Sequence, residues 1–168
     1  MKIQEICTAN PRTCGPDSNL ASVAGMMWES DCGIIPVVDW NNKILGVVTD
    51  RDIAIAASTR NLSPALITAG DVISHKVHAC RMQDDARTAM RTMTKECVRR
   101  LLVVDDSGRL QGIVSLNDIV LASRDSKTAR SGDITYPEVV AVLDAVCRPA
   151  TVRGEGTSKR APLVVAQG

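Results

Sequence analysis

The amino-acid sequence predicts an α+β (α/β) protein made of two β-α-β-β-α units, and three observations carry that expectation. Residues 46–58, GVVTDRDIAIAAS, return in altered form as GIVSLNDIVLASR at 112–124, an offset of 66 positions. The offset holds without a gap through Val38 and Val104, Asp39 and Asp105, Met27 and Met93, Cys14 and Cys80, and back to Glu5 and Asp71. A gapless repeat of this length marks a duplicated structural unit. Each copy also holds two short apolar runs joined by turn residues, the pattern of a hairpin. Each holds, in addition, segments whose apolar residues recur at helical spacing. One unit has too few strands to cover a core by itself. The two are therefore expected to pack sheet against sheet, related by a pseudo-twofold axis.

Repeat 1 is assigned to residues 1–58 and repeat 2 to 71–124, with a connection at 59–70 punctuated by Pro64 and Gly70. Each repeat opens with a short helical lead-in, IQEIC or AGDVI, followed by an extended stretch, PRTC or VHAC. A helix follows. In the first copy Leu20, Val23, Ala24 and Met27 share a face behind Asp17 and Ser18; in the second Ala86, Ala89, Met90 and Met93 do so behind Asp84 and Asp85. The hairpin is IIPVVD and ILGVV around Trp40, Asn41 and Asn42, then LLVVDD and LQGIVS around Ser107 and Gly108. A helix starting at T-x-x-D or S-x-x-D closes each unit. Residues 125–168 form a C-terminal extension: a polar linker, a helix at Tyr136–Cys147 with Val139, Val140, Leu143 and Val146 on one side, and a tail, 153–168, expected to be mostly disordered.

Composition removes several function classes. A formal net charge of +1 exerts no long-range pull on nucleic acid or acidic membranes. Aromatic residues make up 2 % of the chain, too few for a base-stacking surface. No apolar run approaches the length of a membrane span, and MKIQEICTAN lacks the apolar stretch of a secretory signal. A cytoplasmic protein without nucleic-acid or membrane partners is expected. The six cysteines include no C-x-x-C pair, and His75, His78 and Cys80 match no zinc spacing, so no metal site is expected. No Ser-His-Asp arrangement and no Gly-rich phosphate loop suggest an enzyme.

The repeated junction has two readings. Thr49 and Ser115 suit helix N-caps, and Asp52 and Asp118 three residues later complete capping boxes, which needs no ligand. The same groups also suit a nucleotide. A helix start with a hydroxyl donates hydrogen bonds to phosphate, and a carboxylate accepts from both hydroxyls of a ribose.

GVVTDRDI and GIVSLNDI, with IIPVVD and VRRLLVVDDSG upstream of them, resemble a tandem pair of CBS domains, a Bateman module, over roughly residues 3–124. The TDRDI form and the TAG-containing connection are similar to small stand-alone bacterial CBS proteins of the hypoxic-response type. The resemblance implies a disk with two clefts between the repeats, assembled as a homodimer through the helices that follow each hairpin, IAIAAS and IVLAS. It implies adenosine ligands: AMP, ADP or ATP, with NAD or S-adenosylmethionine as further candidates, and no required cofactor. In one cleft Asp118 would hold ribose, Ser115, Asn117, Arg99 and Arg100 would face phosphate, and Ala9, Asn10, Cys32, Gly33 and Ile34 would wall the base. In the other, Asp52 would hold ribose and Thr49 phosphate, with Lys76, Val77, Val98 and His75 around the base. Gly33 and Ile34 stand where the second copy has Arg99 and Arg100, so the Asp118 cleft is the better equipped for phosphate. The helix at 136–147 is expected to dock on its own dimer or, failing that, on a client protein. The rival reading is a dimeric interaction module whose clefts hold no ligand.

Overall fold

The computed structural model describes residues 1–74, 76–125 and 127–148. His75 and the tail at 153–168 lie outside the described residues. The described residues form two units, one joining Met1–Asn10 to the residues from His78 to Arg148, the other built from Pro11–Val77. The α+β character expected from the repeat is present in both.

In the first unit, β1 (Thr8–Ala9), β6 (Leu110–Ser115), β5 (Arg100–Val104) and β4 (Ala79–Arg81) form a sheet in that order. β4 runs parallel to β5, and the other pairs are antiparallel. Asp105 closes the β5–β6 turn by accepting the N–H groups of Ser107 and Arg109 on one carboxylate oxygen, while Gly108 supplies the positive φ. Helix α3 (Ala86–Glu96) starts at the N-cap Asp85 and ends at Cys97 in the left-handed conformation. Its Ala86, Ala89, Met90 and Met93 are buried with Leu101, Val103 and Val114 of the sheet and with Leu116 and Ile119 of α4 (Leu116–Ala122). Ile3, fully buried, joins the same cluster.

The second unit repeats the plan with shorter edges. β2 (Ile34–Val38) and β3 (Ile44–Thr49) pair antiparallel, while single-residue bridges, Cys14 to Val37 and Ser74 to Val47, stand where the first unit has β4 and β1. Leu20, Val23 and Met27 of α1 (Leu20–Glu29) pack on Ile35, Val37 and Val48, and Ala56 of α2 (Asp50–Thr59) joins them. The N-cap of α1 is Asn19, whose side chain accepts the Ser22 N–H, so the helix starts just beyond the expected Asp17 and Ser18.

The borders of these units differ from those of the sequence repeats. The lead-in of repeat 1 pairs with the hairpin of repeat 2, Thr8 opposite Ile113 and Ala9 opposite Gly112. The lead-in of repeat 2 pairs with the hairpin of repeat 1, Ser74 exchanging both backbone hydrogen bonds with Val47. The glycine at the start of each G-aliphatic-aliphatic run follows from this crossing. A Cβ on Gly112 would lie 2.8 Å from the Thr8 carbonyl oxygen, and one on Gly46 would lie 2.5 Å from the Ser74 carbonyl oxygen. Both values are below ordinary contact, so a side chain forces the strands apart.

Helix α5 (Tyr136–Cys147) packs on α3 and α4 of the first unit. The stripe it buries is Val139, Val142 and Val146; Val140 and Leu143, expected on the same side, are more exposed and lie around the helix from it. At the start of the expected linker before it, Arg124 donates its N–H to the Ile134 carbonyl and accepts the Tyr136 N–H, and Ile134 is buried. Arg87 clamps the helix start. Its guanidinium donates to both carboxylate oxygens of Glu138 and to the carbonyls of Gly132 and Asp133. Glu138 also accepts from the Thr135 N–H and hydroxyl, closing a capping box. The Arg87 guanidinium and these donors hold the Glu138 carboxyl down at about 2.

Gly112→Ala is expected to lower stability by about 1–3 kcal/mol through overpacking at the strand crossing. Urea denaturation measures it, and an unchanged midpoint would contradict the crossing. The lowered pKa of Glu138 contributes stability that is complete above its ordinary value of 4.5 and lost as pH falls towards 2. The pair is about one-third exposed, so solvent screening keeps the effect small. The thermal unfolding midpoint of the wild type should therefore drop more steeply than that of Glu138→Gln as pH is lowered from 4.5 towards 2.

Candidate functional site

Each hairpin delivers its last strand residue directly into a helix. Ser115 ends β6 in extended conformation and caps α4; Thr49 ends β3 in nearly the same geometry and caps α2. At the Ser115 junction, the Ser115 N–H and hydroxyl both donate to Oδ2 of Asp118 at 2.7 Å, and the Asp118 N–H donates to Ser115 Oγ at 3.3 Å. At the Thr49 junction the matching distances are 2.9, 2.7 and 3.2 Å with Asp52. The capping-box reading therefore holds for both. It uses one carboxylate oxygen of each Asp. Among the described residues Oδ1 of Asp118 and Oδ1 of Asp52 accept no hydrogen bond, so each half-buried carboxylate can cap its helix and still receive a hydroxyl.

The surroundings of the two junctions differ in charge. Arg100 lies opposite Ser115 in the β5–β6 register, exposed, and among the described residues its guanidinium makes no hydrogen bond or ion pair. The Arg99 carbonyl accepts the Leu116 N–H at the start of α4, while its guanidinium points to the Cys147 sulfur of α5 at 3.5 Å. Asn117 is exposed in the first turn of α4. Ala9 sits on the neighbouring strand opposite Gly112, and Asn10, left-handed at φ 49°, donates its N–H to Gln111. Val98 is half-buried against the core of this unit. Ser115, Asn117, Asp118, Arg99, Arg100, Ala9, Asn10 and Val98 thus belong to one unit.

Thr49 and Asp52 share the other unit with Cys32, Gly33, Ile34, Lys76 and Val77. Ile34 lies opposite Thr49, and the Gly33 carbonyl accepts the Asp50 N–H. Cys32 donates its thiol weakly to the Ile34 carbonyl at 3.5 Å. Lys76 is exposed and Val77 half-buried beyond the Ser74 bridge. A feature missed in the sequence is Asp50. Its carboxylate occupies the space beside Gly33, 2.8 Å from where a Cβ would stand, at the place where the first unit has buried Leu116. Aligning TDRD on SLND places an acid against an aliphatic residue, a signal that was available. Cys7 was also missed: burial, with help from the Asp118 charge, pushes its thiol up. Nothing in its pattern distinguishes it from a core thiol.

Among the described residues no group of three or more His, Cys, Asp or Glu side chains is placed to hold a metal ion. No described helix is long and apolar enough to cross a membrane.

Two copies of one hairpin-to-helix junction on two β-α-β-β-α repeats define a tandem-repeat module, and the CBS-domain family model matches the chain at residues 3–58 and 69–125. The chain belongs to the CBS-domain family and carries a tandem pair of these domains. Hypoxic response protein 1 of Mycobacterium tuberculosis is 29 % identical over 69 % of this chain and 80 % of its own length. The crystal structure of Hypoxic Response Protein I with two coordinated zinc ions aligns with a TM-score of 0.66 at 27 % identity, covering 74 % of this chain and all of that one. The crystal structure of CBSX2 in complex with AMP aligns with a TM-score of 0.62 at 25 % identity, covering 72 % of this chain and 94 % of that one. An uncharacterised protein of Methanopyrus kandleri is 28 % identical over 71 % of this chain, which spans 61 % of that protein's length.

Removing a cap carboxylate should cost stability in the absence of any ligand. Asp118→Ala is expected to lower it by about 1 kcal/mol, whereas Asp118→Asn keeps an acceptor for Ser115 and should lose less. Chemical denaturation of the three proteins checks the order.

Proposed function

We propose that the protein is a regulatory module that senses an adenosine nucleotide at the Ser115–Asp118 junction. One observation carries the reading: a carboxylate oxygen that its own capping box does not use lies in the same junction as a hydroxyl and Arg100, both the oxygen and the guanidinium being unpaired among the described residues. Ribose hydroxyls donate to Asp118 Oδ1 while Oδ2 stays on the cap, so the ligand is held without unwinding α4. Arg100, with Ser115 and Asn117, meets the phosphate, and Arg99 reaches it by leaving Cys147. AMP bound to CBSX2 supports this ligand class, with ADP and ATP as its longer members and NAD or S-adenosylmethionine as alternatives. At the Thr49 junction Ile34 stands where the other has Arg100, and the charge of Arg51, at the place of Asn117, is offset by Asp50 beside it, so that junction is the less well equipped for phosphate. The module acts as a cytoplasmic homodimer, with a client protein as the receiver of the signal.

The capping boxes themselves favour the second reading, an interaction module with no ligand, because they explain both aspartates without one. Titration calorimetry with AMP and adenosine separates the two. A charge-assisted hydrogen bond contributes about 1.5–3 kcal/mol, so Asp118→Ala and Arg100→Ala should each weaken AMP at least tenfold. Arg100→Ala should leave adenosine nearly unchanged, and Asp52→Ala should matter less than Asp118→Ala. Absence of binding by the wild type, or equal affinity in all four proteins, would leave the interaction module standing.

A further inference from the structure

The second unit has an open groove at the surface where the first unit is covered. It measures about 540 Å³ and is lined by Ala24, Met27 and Trp28 of α1, Asp31, Cys32 and Gly33 beyond it, and Asp50, Ile53 and Ala54 of α2, so that two carboxylates border an otherwise apolar floor. Counting on by 66, Ala24, Met27 and Ile53 correspond to Met90, Met93 and Ile119. In the first unit those three side chains are buried in the cluster that includes Val139, Val142 and Val146 of α5. The groove is thus the counterpart of a surface on which this same chain already seats an aliphatic helix. Trp28, 89 % exposed, stands at its edge.

Helix α5 also carries a second apolar stripe. Tyr136, Val140, Leu143 and Cys147 follow one another at steps of four, three and four residues, about a quarter turn round from the buried stripe. Val140 is 60 % exposed, and Cys147 is an exposed free thiol. Among the described residues each chain therefore presents an open groove of the type that takes α5 and a partly exposed apolar stripe on α5, whose Cys147 meets the Arg99 guanidinium. Ile119, in the IVLAS segment expected at a subunit interface, is fully buried in the cluster with the α5 valines.

The geometry points to α5 of a second copy as the occupant of the groove: its Tyr136–Val140–Leu143–Cys147 stripe seats between α1 and α2 of the partner. The inference rests on the homodimer reading and names its contact. A groove-to-stripe contact joins two different surfaces, and made twice about a twofold axis it closes a dimer and leaves neither surface exposed. Trp28 then covers the flank of the incoming helix, an aromatic anchor of the kind that dominates interface energetics.

Light scattering and thiol cross-linking on the full chain test it. The wild type should be a dimer at tens of micromolar. Val140→Asp with Leu143→Asp on the stripe, and separately Ala54→Glu in the groove, should each raise the dimer dissociation constant at least tenfold. A short bismaleimide on the wild type should yield a covalent dimer joined from Cys32 to Cys147, a readout that does not depend on any variant folding. A wild-type dimer that withstands the stripe substitutions, or cross-links Cys32 to Cys32, overturns this contact and leaves the homodimer reading intact. A monomeric wild type overturns both.

Discussion

Everything in this chain depends on a close backbone crossing made twice. The lead-in of each repeat lies against the second hairpin strand of the other, at Gly112 in one unit and Gly46 in the other. No Cβ fits between those backbones, so the residue before each aliphatic pair must be glycine. The crossing places Ala9 and Asn10 on the flank of the strand that ends in Ser115. It also fixes the line along which β6 enters α4, and with it the position of Asp118 relative to Arg100. The chemistry of the junction is thus set by a steric requirement three residues upstream.

The two units show how little change separates a covered surface from an open one. Leu116 closes the start of α4 into the core, and Asp50 at the matching place keeps the start of α2 polar and exposed. Met90 fills the helix face that Ala24 leaves shallow. These differences make the first unit a seat for α5 and leave the second with a groove. They also give the junctions different surroundings, Arg99 and Arg100 beside one and the adjacent Asp50 and Arg51 beside the other. Duplication supplied two equal frames, and a few side chains gave each its own surface.

The repeat, the hairpins and the capped junctions were legible in the sequence because each rests on local chemistry. Ser115 and Asp118 are close in the chain, and helix periodicity places Met90 and Met93 on one face. The pairing of Thr8 with Ile113 was not legible, because a two-residue strand has no periodicity and its partner lies in the other repeat. The buried stripe of α5 was misread for a similar reason. Val139, Val140, Val142, Leu143 and Val146 offer two overlapping stripes, and only the position of α3 and α4 decides which is buried. At the junctions the sequence permitted both a cap and a carboxylate ready for ribose. The coordinates show that one carboxylate does the first with a single oxygen, which residue type alone does not reveal.

The exchange of lead-ins bears on how the chain acquires its structure. Residues 11–77 are contiguous and form one unit, whereas the other must join Thr8 to Ile113 across everything between them. Pairings this distant in sequence are slow to form, because loop closure precedes the contacts that reward it. During synthesis at about 5–20 residues per second, the first ten residues wait on the order of 5–20 s for their strand partner to be made. The order of assembly is therefore built into the topology: the middle of the chain first, then the clasp of its beginning onto its later half. Separating the two sequence repeats at the connection would leave each half without the strand that finishes its sheet.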